Sequence, residues 1–304
     1  MGKHLARRVL SAIGSLLGVS ILVFLLSRSI GDPASLLVPL EASPEQYQLV
    51  REELGLDKPL YYQYAVFFRN AVLGDMGESI RYRMPVLGMV LSRLPATIYL
   101  AAAASVLGTL IGVLGGILGA IRANSLYEKA VNFVSLIGQA APPFWLGLMF
   151  LTVFAVRLRL LPAGGDAGVK SLILPAITLG WYVAAPILRL TRSALMEVIT
   201  SDYILVARSK GVGPAQVLFR HALRNAAIPI LTITSLQLGR MLGGAVVVET
   251  VFDWQGVGSL AVQAVLTRDY PLTQGIVLIT CSVFIVLNLT VDVLYGFVDP
   301  RVRA

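Results

Sequence analysis

Few residues in this 304-residue chain have the type and spacing to do chemistry. The one dense set lies in the stretch Met196–Leu231, where Arg208, Lys210, Arg220, His221 and Arg224 crowd around a Gly211-Val212-Gly213-Pro214 break. A reaction centre needs titratable groups converging on one face, and the remaining candidates are scattered. Arg240 and Asp292 are the ionisable residues worth weighing inside the predicted spans. A charge at mid-bilayer costs about 2.5–3.5 kcal/mol even on a lenient insertion scale, so such residues face a bundle interior or an aqueous cavity. Arg240 is the deeper of the two and the better candidate for a pore or interface position, with structural pairing the alternative for both. Gln139, just before Pro142-Pro143, is a third candidate, with polar packing between helices as its equal alternative.

Familiar catalytic patterns are missing. The chain has no Gly-x-x-x-x-Gly-Lys-Ser/Thr loop, no Gly-x-Ser-x-Gly elbow, no His-Glu-x-x-His and no kinase set, so neither ATP binding by a P-loop nor catalysis is expected of it. The single cysteine, Cys281, sits in an apolar run, and His4 and His221 are far apart, so no metal site is expected.

The elements that must position these residues are membrane helices. The chain is 56% hydrophobic and only 14% charged, with a mean hydropathy of +0.77. A soluble domain carries roughly a quarter charged residues. The net charge of +8 reads as basic loops at a membrane face rather than as a nucleic-acid surface.

Apolar runs predict six spans: Val9–Leu26, Ala96–Ile121, Ala130–Val156, Leu172–Leu190, Ile228–Val248 and Leu272–Phe297. The first follows Lys3, Arg7 and Arg8 and is longer than a signal-peptide core, so it is expected to be an uncleaved span. Between the first two spans lies a mixed segment, Arg28–Arg93. Within it, Ser43-Pro44-Glu45 to Leu54-Gly55 predicts a capped helix closed by glycine. In the second span Gly108, Gly112 and Gly116 are four apart, and Gly115–Gly119 repeats the interval. Such ridges let helix backbones approach closely, either within the chain or at a subunit interface. Pro142-Pro143 predicts a kink or break in the third span, and Pro175 and Pro186 interrupt the fourth.

The Met196–Leu231 stretch reads as a short helix, a sharp turn at Gly211 and a second short helix starting at Pro214. Basic residues at the N-terminus, at Arg122 and Lys129, in this stretch, and at Arg301 and Arg303 fall on one face of the predicted topology. That bias puts both termini and the stretch in the cytoplasm. A chain without its own energy source is a channel, an ion-coupled secondary carrier or one subunit of a powered machine. A cytoplasmic helix-turn-helix favours the last, as a docking element for a motor domain.

Several strings then give a specific resemblance along the whole length. These are Gly18-Val19-Ser20-Ile21-Leu22-Val23-Phe24-Leu25-Leu26, Gly31-Asp32-Pro33-Ala34, Leu54-Gly55-Leu56-Asp57-Lys58-Pro59-Leu60, Gly74-Asp75-Met76-Gly77 and Arg93-Leu94-Pro95-Ala96-Thr97 in the first third. Ala207-Arg208-Ser209-Lys210-Gly211, His221-Ala222-Leu223-Arg224-Asn225, Glu249-Thr250-Val251-Phe252, Arg268-Asp269-Tyr270-Pro271 and Asp299-Pro300-Arg301-Val302-Arg303 follow. In this order they resemble the dipeptide/oligopeptide and nickel branch of the binding-protein-dependent ABC importer permeases.

The resemblance implies an all-α polytopic membrane protein with six transmembrane helices, the type I ABC importer permease fold, and an outer segment between spans 1 and 2. Its divisions are 1–27 (tail and first span), 28–95 (outer segment), 96–298 (permease core, with a coupling loop at 196–227) and 299–304 (cytoplasmic tail). The loop is similar to the EAA loop that docks on an ATPase, with Tyr203, Ala207, Arg208, Lys210, Gly211, Pro214, His221, Arg224 and Asn225 as its expected site residues. Leu205 and Val206 stand where the broad importer pattern has Glu-Ala, and His221 and Arg224 where it has Ile and Pro.

The implied partners are a homologous second permease, two ABC ATPase subunits that bind ATP and Mg, and an extracytoplasmic substrate-binding protein in a bacterial inner membrane. The implied cargo is di- or oligopeptide, with nickel or a metal chelate, glutathione and oligosaccharide as alternatives.

Overall fold

The computed structural model describes residues 2–30, 34, 38, 43–53, 55–165 and 168–298. The side chains of residues 2–7, 29, 30, 238, 240, 242 and 291–298 fall outside that set, and with them those of Arg240 and Asp292. The described residues form helices and a single isolated bridge, Glu78 to Pro85, and they pack as two compact units.

The first unit contains the residues up to Pro95 and those from Ser259 onward. Its helices are α1 (Gly2–Ile30), α2 (Pro44–Glu53) and α3 (Leu60–Val72) near the start of the chain, most of a short helix, Val257–Leu266, and the last helix, Tyr270–Val298. The mixed segment after α1 thus holds two helices. The first is capped as expected: the Ser43 hydroxyl accepts the Gln46 amide N–H (3.3 Å), and the Gln46 side-chain carbonyl accepts that of Ser43 (3.0 Å). The chain leaves α2 through Gly55 in the left-handed region (φ +64), whose N–H reaches the Glu52 carbonyl while that of Leu56 reaches Arg51. α3 is held to α1 by Phe24, whose ring lies 5.5 Å from Tyr64 and 5.7 Å from Phe67, and by the Ser20–Tyr64 hydroxyl pair at 2.8 Å. Asp269, only 1% exposed, caps the last helix by accepting the Leu272 N–H, and also takes the Ser79 hydroxyl and the Arg81 N–H.

The second unit, Ala96–Gly258, carries most of α4 (Val86–Ile121), then α5 (Leu126–Ala140), α6 (Pro143–Phe150) and a π-helical turn Leu151–Arg157. α7 (Val169–Ile199) follows, then α8 (Asp202–Ser209), a single turn α9 (Pro214–Gln216), a second π-helical stretch Val217–Ala222, and α10 (Leu223–Val251). The short α11 (Val257–Leu266) and α12 (Tyr270–Val298) complete the order.

Among the described residues, four helices or helix segments are long and apolar enough to cross a membrane: Arg8–Arg28 within α1, α4, α7 and Tyr270–Thr290 within α12. α5 and α6 make a fifth span if counted together, bent by 112° at Pro142-Pro143. Proline removes two backbone donors there, and Pro143 restarts the helix at its first position, where no donor is needed. Most helices overrun the apolar windows that predict them. α4 begins ten residues before Ala96 and runs through Pro95, and α7 continues past Leu190 to Ile199. Helical hydrogen bonding does not stop where hydropathy falls, and polar residues prolong a helix beyond the hydrocarbon.

The glycine ridge of α4 packs within the chain, on α7. A Cβ on Gly108 would stand 2.5 Å from the Gly180 carbonyl oxygen, one on Gly112 2.7 Å from Ile187 Cβ, and one on Gly116 2.5 Å from Thr191 Cβ. Gly119 is looser, at 3.4 Å from Arg192 Cδ. Around this contact lies a dry core of Leu100, Leu174, Leu179, Val183, Met241 and Phe252. Gly112→Val therefore forces α4 and α7 apart. Overpacking of this kind costs about 1–3 kcal/mol, so the purified variant is expected to melt well below the parent in a thermal-shift assay, while Gly119→Ala melts with it.

Candidate functional site

The basic stretch is a built structure. α7 ends at Ile199, and α8 starts at Asp202 after a tight turn and lies with Ile204 fully buried. Its exit is a Schellman motif: the Gly211 N–H bonds to the Arg208 carbonyl (2.9 Å) and the Val212 N–H to that of Ala207 (3.2 Å). Gly211 takes φ +83, the left-handed angle the sequence anticipates, and an added Cβ would meet nothing within 4 Å. Pro214 is the first residue of α9. The second helix, however, is not separate: α9 passes through the Val217–Ala222 π-helical stretch directly into α10. The single-residue offset of a π segment turns the helix face without breaking the hydrogen-bonded path.

One side of this loop is fixed and the other is bare. Leu218, Ala222, Ala226 and Ile230 pack with Leu195 of α7 and Ala120 of α4 in a second buried cluster. Asn225 donates to the Tyr203 hydroxyl (2.7 Å) and the His221 carbonyl (3.2 Å), tying α8 to the start of α10. Facing outward are Arg208, Lys210, Pro214 and Arg224, together with four large apolar side chains, Tyr203, Leu205, Val206 and Phe219, the last 68% exposed. Ala207 and His221 are half-buried. Of the nine loop residues expected from sequence, the structure thus puts Arg208, Lys210, Pro214 and Arg224 on the surface, and uses Ala207, Gly211, Asn225, the His221 carbonyl and the Tyr203 hydroxyl to hold the shape.

A cavity of about 680 Å³ opens in the same unit between α5, α7 and α10. Gln139 lies on its wall with Tyr182, Arg189, Arg192, Ser193 and Gln237. Arg192 pairs with Glu128, whose carboxylate also accepts the Asn124 N–H while its own N–H bonds to the Ser125 hydroxyl at the start of α5. Gln237, inside the apolar run Ile228–Val248, carries no local signal, and Arg189 and Arg192, astride the end of the run Leu172–Leu190, are not among the site residues expected from sequence. The signal that finds them is the two arginines three residues apart on a helix that continues another two turns.

At the other end of α10, Glu249 is fully buried beside the Thr97 hydroxyl, which donates to it (2.7 Å) and accepts the Val257 N–H (2.8 Å). A Cβ on Gly256 would stand 2.3 Å from the Glu249 carboxylate. Two strings that carry the family resemblance, Arg93–Thr97 and Glu249–Phe252, therefore meet in one clasp. Among the described residues no group of three His, Cys, Asp or Glu side chains is placed to hold a metal ion.

This fold is that of solved ABC transporter permeases. The chain aligns with the methionine ABC transporter MetNI in inward-facing conformations at TM-score 0.58 and 19% identity, over 69% of this chain and 96% of that one. It also aligns with an amino acid ABC transporter crystallised with histidines, at TM-score 0.53 and 17% identity over 70% and 94%.

Sequence comparison is more specific: residues 108–304 match the binding-protein-dependent transport system inner membrane component family, and residues 1–101 its N-terminal counterpart, so the chain belongs to that family. It is a permease of an ABC importer. It is 41% identical over its full length, and 99% of the relative's, to the glutathione transport system permease protein GsiC of Escherichia coli K12. It is 39% identical, with the same coverage, to the di/tripeptide transport system permease protein DppB of Pseudomonas aeruginosa UCBPP-PA14.

Two substitutions test this geometry. Gly211→Ala places a Cβ in the left-handed region at a cost of about 1–2 kcal/mol, with no steric clash to add. Limited proteolysis is expected to cut the loop faster in this variant, and Gly211→Asn is expected to lie between it and the parent. Thr97→Val removes a donor from a buried carboxylate, a loss of about 1–3 kcal/mol or more, and should lower the melting temperature while Thr97→Ser does not.

Proposed function

We propose that this chain forms half of the translocation pathway of an ATP-driven importer of short peptides, and that the Ala207–Arg224 loop is its coupling element. The observation that carries the reading is the loop's two-sidedness. An apolar and basic outer face, with Phe219 at its most exposed point, stands on a backbone locked to α4, α7 and α10. An exposed patch of this kind marks a protein contact. Its chemistry suits a groove on an ATPase with apolar walls and an acidic rim, and its rigid attachment lets a displacement of the loop reach three helices at once.

In this reading ATP and Mg are held by two ATPase subunits on other chains, a homologous second permease completes the pathway, and an extracytoplasmic binding protein delivers cargo. The chain itself is not catalytic. Six spans, with α5–α6 and α10 as the third and fifth, leave both termini cytoplasmic, supported by Arg122, Lys129, Arg208, Lys210, Arg220 and Arg224 on one face. The substrates for which these relatives are named, glutathione and di/tripeptides, favour peptide cargo over nickel chelates or oligosaccharides. The binding-protein-dependent family leaves no place for a solitary ion-coupled carrier.

The test is reconstitution. Proteoliposomes holding both permeases and the ATPases are expected to import di- and tripeptides only with ATP and the binding protein. Gly211→Pro is expected to insert in the membrane and abolish uptake, and Phe219→Asp to lose the ATPases on affinity purification. Full uptake by Gly211→Pro contradicts the coupling role, and uptake without ATP contradicts the machine.

A further inference from the structure

The cavity between α5, α7 and α10 has features that packing does not explain. Gln237 is 1% exposed and lines it, yet among the described residues neither its side-chain carbonyl oxygen nor its amide nitrogen has a partner. Buried amides are normally satisfied, so an unpartnered one on a cavity wall points to an occupant. Arg189 faces the same space with no ion pair among the described residues. It is exposed in this chain and stands at the end of the apolar run Leu172–Leu190, where α7 turns polar. Arg192 spends one terminal nitrogen on Glu128 and leaves its Nε without a partner. Gln139 closes one side with a second amide, and Tyr182 adds a hydroxyl.

This set has a definite chemical complement. A free guanidinium takes a carboxylate through two parallel hydrogen bonds. Two amides, each able to donate and accept, match the N–H and C=O of a peptide unit. The volume, about 680 Å³, falls in the range of small-molecule sites. We propose that the cavity is a transit site for the free C-terminus of a short peptide, with Arg189 holding the carboxylate and Gln139 and Gln237 holding the adjoining amide groups. Resting on the peptide-importer reading above, the inference assigns cargo selection to this chain as well as to the binding protein.

The experiment uses the whole complex in phosphatidylcholine nanodiscs, without nucleotide or binding protein, and measures equilibrium binding of tritiated trialanine, followed by ATP-driven uptake in proteoliposomes with the binding protein added. Wild type is expected to bind trialanine saturably and its C-terminal amide at least about tenfold more weakly, the scale of a lost charge-assisted hydrogen bond. Arg189→Gln should lose binding and uptake to a similar degree, Arg189→Lys should restore part of both, and binding-protein-stimulated ATP hydrolysis should persist in each. Gln237→Leu, which removes the amide without changing charge, should weaken binding of acid and amide alike. Equal binding of acid and amide, or undiminished binding by Arg189→Gln, overturns the inference while wild-type uptake leaves the importer reading intact. Displacement of trialanine by added phosphatidylglycerol alone assigns the cavity to a lipid headgroup and overturns it too. A wild-type complex that imports no peptide overturns the importer reading, and this inference with it.

Discussion

The contact on which the second unit depends is the close approach of α4 and α7. Gly108, Gly112 and Gly116 sit where even a methyl group would meet a backbone oxygen or a β-carbon inside 3 Å. In a bilayer there is little hydrophobic gain from pairing helices, so dispersion across a tight interface supplies the attraction, and glycine is what allows the distance. From that seam the packing extends both ways. Toward one end, Leu100, Leu179 and Met241 bring in α10, and toward the other, Ala120 and Leu195 receive Leu218 and Ala222 of the basic loop. The loop is thus an extension of the helix bundle, and its outer face keeps its side chains for another protein.

Buried carboxylates set a joint within each unit. Glu249 is held by Thr97, and Asp269 by Ser79 and the Arg81 and Leu272 amides. Removing a charge from water is costly unless every lone pair finds a donor, so each of these groups dictates the backbone around it. Gly256, with no room for a Cβ beside Glu249, is a direct consequence. The same rule gives Gln237 its meaning by contrast, because there the donors are missing.

What the sequence made legible was whatever had a local signature. Period and hydropathy marked the long helices, Pro142-Pro143 marked the bend, Ser43 and Gly55 marked the ends of α2, and Gly211 marked the loop's corner. Two points needed the structure: the glycine ridge, whose packing within the chain or between subunits was open, and the second half of the loop, which reads as a separate short helix but runs on into α10. Neither is local. A ridge looks the same whichever helix it meets, and a π-helical turn such as Val217–Ala222 has no composition that distinguishes it from an α-helix. The cavity was hardest to see, since Gln139, Arg189 and Gln237 are about fifty residues apart in sequence and converge only through the packing of α5, α7 and α10. Glu249 and Asp269 appeared in the sequence only within strings of resemblance, and their burial supplies the physical reason for those strings.

The central claim is that the loop and the helices it joins move as one body. Its most direct test is a distance measurement by pulsed electron spin resonance, with labels on Ser209 in the loop and Ile121 at the end of α4, both exposed, after replacing the native Cys281 by serine. In the reconstituted, transport-competent complex, the distance distribution should be narrow and unchanged between the nucleotide-free and vanadate-trapped states. A distribution that shifts or splits on trapping would mean that the loop flexes on its own, and would contradict the account.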